Sequence, residues 1–322
     1  MQNDLQKKGY FYDPDRFADL INGVVCSGRQ VLSPSDLTDM DSMTGQFDSS
    51  TSQKRRKKRL SERYRDIIRK AAFGINFMVL GIENQEASNY LMPMRCMSYD
   101  VREYERQAAQ ISRQVKRRRD VTPAEFISGF TRDSRLCPCV TLVLFYGEEW
   151  DAATDLYGIL DFTDIPEELK DKVNNYKIYL CEVRKFENTD VFRTDLKQVF
   201  DCVRYSQEPD KLYELIVNDP AYREMDGDTY DVIAQYIKTN ELMQVRRYKK
   251  KEEKVDMCGA IAELIERGRK EGIEQGIEQG IKALIEMSKE LGSTKEETRS
   301  RVAMKMQLSY EETDKYVEKF WR

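Results

Sequence analysis

The sequence predicts an α/β fold with a largely buried sheet, followed by a separate helical tail. The prediction depends mainly on two apolar runs, Ile75 to Ile82 (INFMVLGI) and Val140 to Tyr146 (VTLVLFY). Both are short and rich in branched residues, as buried strands are. Further strands are expected at 62–70 and 176–183, and they alternate with helical stretches at 15–25, 94–119 and 165–174. From about residue 192 onward the chain is predicted to be helical.

Composition limits the location and the chemistry. Of the 322 residues, 40% are apolar, and no apolar run reaches the roughly 18 residues that a membrane helix needs. The N-terminus lacks the apolar centre of a secretion signal. Seven scattered cysteines favour a reducing interior, so a cytoplasmic protein is expected. The absence of histidine excludes most serine and cysteine triads and His-ligated zinc sites.

Positive charge is clustered although the net charge is −4. Three basic runs stand at Lys54–Arg59, Lys116–Arg119 and Arg246–Lys251. Such clusters are typical of a polyanion-binding surface, and equally of solvated helix ends and loops. The first run belongs to a polar segment, 41–60, which is predicted to be a mobile basic loop.

The tail contains a four-residue glycine repeat, and we place it in a second domain, 246–322, after a first domain of residues 1–245. The glycines are Gly268, Gly272, Gly276 and Gly280. Each glycine costs a helix about 1 kcal/mol relative to alanine, so a function such as close approach of a second helix is expected. A homo-oligomer is one interpretation, and a low-complexity helical linker is the other. Two capping boxes, Ser293–Glu296 and Ser309–Glu312, predict short helices at 294–306 and 310–321.

A candidate metal site follows the first apolar run. Glu83 and Gln85 share one face of the predicted strand, with the main-chain carbonyl of Asn84 between them. A buried strand that ends in a carboxylate calls for an explanation. A second carboxylate from a neighbouring strand would complete an oxygen-rich site for a hard divalent metal, as phosphodiester cleavage requires. Asp66 stands 17 residues earlier.

Several ordered segments resemble one bacterial family, the recombination-promoting nuclease / putative transposase proteins of the PD-(D/E)XK nuclease superfamily. The similar segments span about residues 10–290. They are Phe17–Asn22, Gly28–Val31, Arg65–Ile67, Leu80–Gln85, Met92–Arg95 with Tyr99–Asp100, Thr141–Gly147, Asp164–Leu169, Asn175–Ile178 and the glycine repeat. The resemblance implies a restriction-endonuclease-like mixed sheet flanked by helices, with the active site at a fork between two strands.

The same resemblance assigns roles to individual residues. Asp66 and Glu83 would bind Mg²⁺, for which Mn²⁺ would substitute, with the Asn84 carbonyl as a third ligand. Gln85 occupies the position of the superfamily's lysine, and Asp19 is a candidate outer acid.

Arg95 and Tyr99 are candidates for contacts with the scissile phosphate. Simpler interpretations remain open: Glu83 pairs with a nearby arginine, Asp66 joins an ion-pair ladder with Arg63, Arg65 and Arg69, and Asp19 lies on the polar face of its helix.

The sequence therefore leaves three possible functions open. The first is a Mg²⁺-dependent DNA endonuclease linked to recombination or mobile DNA. The second is a nuclease-like fold that binds DNA without cutting it, because Gln85 brings no charge to the site. The third is an oligomeric scaffold that acts through residues 256–322.

Overall fold

The computed structural model describes residues 9–40, 67–73, 76–237 and 254–321. The chain divides into two compact units, Met1–Asp256 and Met257–Arg322. The predicted mobile loop 41–60 lies outside the described residues, and so do the basic runs Lys54–Arg59 and Arg246–Lys251. No helix of the described ranges is both long enough and apolar enough to cross a bilayer.

The first unit is an α/β structure around a five-stranded mixed sheet, as predicted. Its strands are β1 (Leu37–Asp39), β2 (Ile67–Phe73), β3 (Asn76–Gln85), β4 (Cys139–Phe145) and β5 (Tyr179–Glu182). They lie in sequence order across the sheet. The β1–β2 and β2–β3 pairs are antiparallel, whereas the β3–β4 and β4–β5 pairs are parallel. The long central strand β3 therefore has one antiparallel and one parallel neighbour.

Helices surround this sheet, and most are short. In chain order they are α1 (Pro14–Leu20), continued by a π-helical turn (Ile21–Val25), α2 (Met92–Val115), α3 (Pro123–Ser128), α4 (Glu167–Lys170), α5 (Leu196–Tyr205), α6 (Pro209–Asn218) and α7 (Gly227–Ile237). The long helix α2 lies in the crossover between β3 and β4, which a parallel pair requires.

The two faces of the sheet are covered by different helices. On β3, Leu80 and Ile82 point to one face, on which Arg69 also lies because it pairs with Leu80. The Arg69 guanidinium lies over the ring of Phe17, 5.2 Å from its centroid, so α1 covers this face. Glu83 and Gln85 point to the opposite face.

Helix α2 covers the face of Glu83. Met92 and Cys96 form a buried cluster with Val143, which pairs with Glu83 across the sheet. Apolar residues of both faces are almost fully buried, which explains why β3 and β4 are predicted so clearly from their composition.

The structure departs from the sequence-based expectation at three places in this unit. The strand expected at 62–70 extends further, since β2 continues to Phe73, which pairs with Asn76. The strand β1 was not predicted, because three residues are too few for a periodic pattern. The region after residue 192 is not entirely helical, since β6 (Met225–Asp226) pairs with β7 (Lys254–Val255).

The second unit consists of three helices: α8 (Met257–Glu290), α9 (Lys295–Met306) and α10 (Tyr310–Phe320). A buried cluster, consisting of Ile281, Ile285, Val302 and Val317, holds the end of α8 against the other two. The Ser309–Glu312 capping box is confirmed. The other box forms one residue later than predicted, with Thr294 as the N-cap and Glu297 as its partner.

Candidate active site

A buried carboxylate lies at the end of the central strand. Glu83 is only 1% exposed, although β3 ends two residues later, at Gln85. The Gln85 side chain lies on the same face, and its Nε2 is 3.5 Å from Glu83 Oε1. Because α2 starts soon after β3 and folds back over this face, residues of its first turns reach the carboxylate.

Three donors surround one oxygen of this carboxylate. Arg95 Nη2 donates to Glu83 Oε1 at 2.5 Å, and the Tyr99 hydroxyl lies 3.3 Å from the same oxygen. Arg95 and Tyr99 are four residues apart on α2, so they share one face of the helix, and Arg95 Nη2 is 2.9 Å from the Tyr99 hydroxyl. The simpler interpretation of Glu83, an ion pair with a nearby arginine, is thus present in the structure with Arg95 as the partner.

The surroundings keep Arg95 charged and Tyr99 neutral. Burial, followed by the negative charge of Glu83, raises the pKa of Tyr99 to about 12. Burial is the largest single influence and lowers the pKa of the Arg95 guanidinium, but the charge of Glu83 and the hydrogen bond and charge of Tyr99 together outweigh it, and the pKa is raised. At neutral pH the cluster therefore offers a cation and a phenolic donor, and neither of these groups is a general base.

The main-chain carbonyl of Asn84 points toward the side of β2. The Gln85 carbonyl accepts a hydrogen bond from Tyr146 N (2.9 Å), which lies on the β4 side. Successive carbonyls of a strand alternate in direction, so the Asn84 carbonyl points the other way. On that side, the first described residue of β2 is Ile67, paired with Ile82. The Asn84 side chain accepts a hydrogen bond from the Tyr146 hydroxyl (3.2 Å).

Asp66 lies outside the described residues, as do Arg63 and Arg65 of the expected ion-pair ladder. The third arginine of that ladder, Arg69, has other partners. Its Nη2 donates to the Tyr12 carbonyl (2.5 Å) and forms an ion pair with Asp39 (3.0 Å).

Asp19 is not brought to the Glu83 cluster. It lies on α1, the helix over the opposite face, and is 4% exposed. Its carboxylate accepts hydrogen bonds from the main-chain N–H groups of Arg193 (2.8 Å) and Thr194 (2.7 Å) and from the Thr194 hydroxyl (2.7 Å). These contacts give Asp19 a structural role, which is to hold the segment that leads into α5.

Helix α2 also carries polar contacts that we did not predict. Asp100 accepts hydrogen bonds from the Tyr176 hydroxyl (2.7 Å) and from Thr141 of β4. About two turns further along, Gln107 binds both the N–H and the C=O of Cys137, just before β4. A row of polar residues at spacings of three and four on an otherwise buried helix face is the sequence signal for such contacts.

The described residues offer two oxygen donors toward the metal site that the resemblance implies. Within those ranges, no group of three or more His, Cys, Asp or Glu side chains is placed to hold a metal ion. Glu83 and the Asn84 carbonyl are both oxygen donors, which suits Mg²⁺ or Mn²⁺ better than a softer metal. Two donors are too few for a dedicated site, so such a site also requires Asp66.

One of the three basic runs belongs to the described residues. Arg117, Arg118 and Arg119 follow the end of α2 and are exposed. Arg118 forms an ion pair with Asp120 (2.6 Å). The run therefore offers a modest positive surface at the C-terminal end of α2. The N-terminal part of the same helix contacts Glu83.

Comparisons with known proteins provide no further guide. No protein-family model, no curated protein and no solved structure matches the chain. The class that the structure itself defines is an α/β protein with a five-stranded mixed sheet and a helical C-terminal unit. The family resemblance and the restriction-endonuclease-like fold stay predictions.

Proposed function

We propose that this protein is a metal-dependent DNA endonuclease whose active site is built around Glu83. The observation that carries the proposal is the burial of this carboxylate among Gln85, Arg95 and Tyr99 at the end of the central strand. A buried charge is costly to a fold, and a cluster in which burial and Glu83 raise the pKa of Tyr99 is a candidate functional site.

The strand register supports Asp66 as the second carboxylate. Ile68 pairs with Gly81 and Ile67 pairs with Ile82. Asp66 is the residue directly before Ile67, and Glu83 is the residue directly after Ile82. The Asn84 carbonyl points to the β2 side of β3. Two carboxylates and a carbonyl at the fork between β2 and β3 would match the site that the family resemblance implies.

Each residue of the cluster has a proposed task in phosphodiester hydrolysis. A bound Mg²⁺ or Mn²⁺ would lower the pKa of a coordinated water and screen the charge of the phosphate. Asp66, Glu83 and the Asn84 carbonyl would hold the cation, and the Gln85 amide would orient the water by hydrogen bonds. Arg95 supplies the positive charge that Gln85 lacks and, with the Tyr99 hydroxyl, contacts the phosphate.

A plasmid-nicking assay tests the proposal. The parent protein is expected to nick supercoiled DNA with Mg²⁺ and with Mn²⁺, and to lose all nicking in EDTA. Binding of the same DNA should weaken as salt rises, because phosphate contacts release counterions. A folded parent that binds DNA but does not nick it with either metal would contradict the endonuclease.

The second candidate is a DNA-binding platform without turnover. It is favoured by the ion pair of Glu83 with Arg95 and by the neutral Gln85. In this case, salt-sensitive DNA binding would persist in a Glu83→Ala variant, and neither protein would cut. A bacterial cytoplasmic location follows from the resemblance under either candidate and is proposed with it.

We also propose self-association through the glycine face of α8. A Cβ atom added at Gly268, Gly272 or Gly276 would meet no atom within 4 Å. Nearby, Ile273 and Ile277 are 53% and 40% exposed, whereas Ile281 and Ile285 of the same four-residue row are fully buried. A second copy in antiparallel orientation would set the glycine faces of the two α8 helices against each other. The scaffold hypothesis for residues 256–322 depends on this contact.

Substituting glutamine for Gly268, Gly272 and Gly276 together is expected to convert an oligomer into a monomer. Glutamine is a better helix former than glycine, so the helix itself should gain stability while close approach is blocked. Light scattering during gel filtration would measure the mass. The matched control is Glu274→Gln, since residue 274 lies about 200° around the helix from Gly272. A parent that is already a monomer at high concentration would exclude the interface.

A further inference from the structure

Two arginines of α2 pair with glutamates, one on β3 and one on α2 itself, and the two pairs have matched burial and different geometry. Arg95 pairs with Glu83, and Arg106 pairs with Glu103; the shortest distance is 2.5 Å in both. The glutamate side chain is 2% exposed in each pair, and the arginine side chain is 33% exposed in the first and 32% in the second. Any difference between the pairs therefore reflects how the guanidinium is bound, because solvent access is matched.

The Arg106 pair is bidentate. Its Nε donates to Glu103 Oε2 at 2.7 Å and its Nη2 donates to Oε1 at 2.5 Å, and Gln107 Nε2 adds a further bond at 2.9 Å. This parallel arrangement is the strongest that arginine forms with a carboxylate. The Arg106–Glu103 pair is thus held by two parallel hydrogen bonds within the helix.

The Arg95 pair is incomplete by comparison. Only Nη2 reaches Glu83, whereas Arg95 Nε is buried and has no hydrogen-bond partner within the described part of the chain. A buried donor without an acceptor is destabilising, so the contact with Glu83 leaves the hydrogen-bonding capacity of this guanidinium partly unused. A third of the side chain is exposed, which allows it to turn outward without opening the core.

We propose that Arg95 is an exchangeable counter-ion: it neutralises Glu83 in the free protein and is displaced when a divalent cation binds there. This inference rests on the proposed function, since it takes Glu83 as the metal ligand. The released guanidinium is then available to an oxyanion with several acceptor oxygens, such as a phosphodiester. Such a group satisfies Nε and Nη2 together, which the Glu83 carboxylate does not.

Competition between Arg95 and the metal predicts an unusual effect of a mutation. Arg95→Met should bind Mn²⁺ about 10- to 100-fold more tightly than the parent, because no hydrogen bond to a charged group has to be broken first. Arg106→Met, the matched control, should bind Mn²⁺ as the parent does. Free Mn²⁺ measured by electron paramagnetic resonance, without DNA and at about 0.15 M salt, gives the affinities. Equal or weaker binding by Arg95→Met would overturn the exchange.

A second measurement needs no variant to fold. In the parent protein, the Arg95 Nε–H resonance is expected to shift when Mg²⁺ is added, while the Arg106 Nε–H resonance stays in place. An Arg95 signal unchanged at saturating Mg²⁺ would also overturn the exchange. Metal-dependent nicking combined with equal Mn²⁺ affinities would refute the exchange and leave the endonuclease standing. The affinity difference without any nicking would support the exchange and refute the endonuclease.

Discussion

Glu83→Gln is expected to abolish metal-dependent nicking while the protein stays folded. Glutamine has nearly the same shape, but it removes the negative charge that a hard cation needs. Removing a residue that only hydrogen-bonds to a metal ligand already lowers metal affinity or activity about 10- to 100-fold. Replacing a direct ligand should therefore lower the nicking rate at least about 100-fold. Initial nicking rates at saturating Mg²⁺ would measure the effect, and Asp66→Asn should act in the same way.

The control for this prediction is Glu103→Gln. Glu103 lies four residues after Tyr99, on the same face of α2. Its side chain is 2% exposed, as is that of Glu83. It contacts Arg106 and Gln107 instead of the proposed site. Glu103→Gln should therefore retain nicking. If the Glu83 and Asp66 variants nick as fast as the parent, the site is misplaced or the activity belongs to a contaminant.

Asp19→Ala is expected to destabilise the first unit strongly, by about 3–5 kcal/mol. The substitution leaves the N–H groups of Arg193 and Thr194 and the Thr194 hydroxyl without their acceptor. Each buried group that loses its partner costs about 1–3 kcal/mol. Urea unfolding would measure the loss. Asp15→Ala, at an exposed position of the same helix, should change stability by less than about 1 kcal/mol.

Asp19→Ala also separates the two interpretations of this residue. If Asp19 acts as an outer acid of the metal site, the variant should keep its stability and bind Mn²⁺ more weakly. If Asp19 holds the segment before α5, the fraction that remains folded should bind Mn²⁺ as the parent does. The hydrogen bonds in the structure favour the second result.

Local patterns account for the parts of the fold that were predicted correctly. The strands β3 and β4 are nearly continuous apolar runs, and α2 follows directly after Leu91, with Pro93 in its first turn. The misplaced cap shows the limit of such patterns. Ser293 and Thr294 are both followed three residues later by glutamate, so the sequence offers two equivalent boxes, and the structure contains the second.

The candidate site was predictable only in part, because its contacts differ in sequence separation. Glu83 and Gln85 share a face by strand geometry alone, and a nearby arginine was an open alternative. That the arginine is Arg95 depends on how α2 folds back over the sheet. The partners of Asp19 are 174 and 175 residues away, and no local pattern in one sequence indicates them.

The order of pairing within the sheet has a consequence for how the protein folds. The β2–β3 hairpin joins neighbouring segments, so it closes a short loop and can form early. The β3–β4 pair must wait for the whole crossover between Gln85 and Cys139, which includes α2. We therefore expect Glu83 to stay exposed to water until this pairing forms. In this order of events its charge is desolvated together with the approach of Arg95 and Tyr99, and the carboxylate is not buried alone.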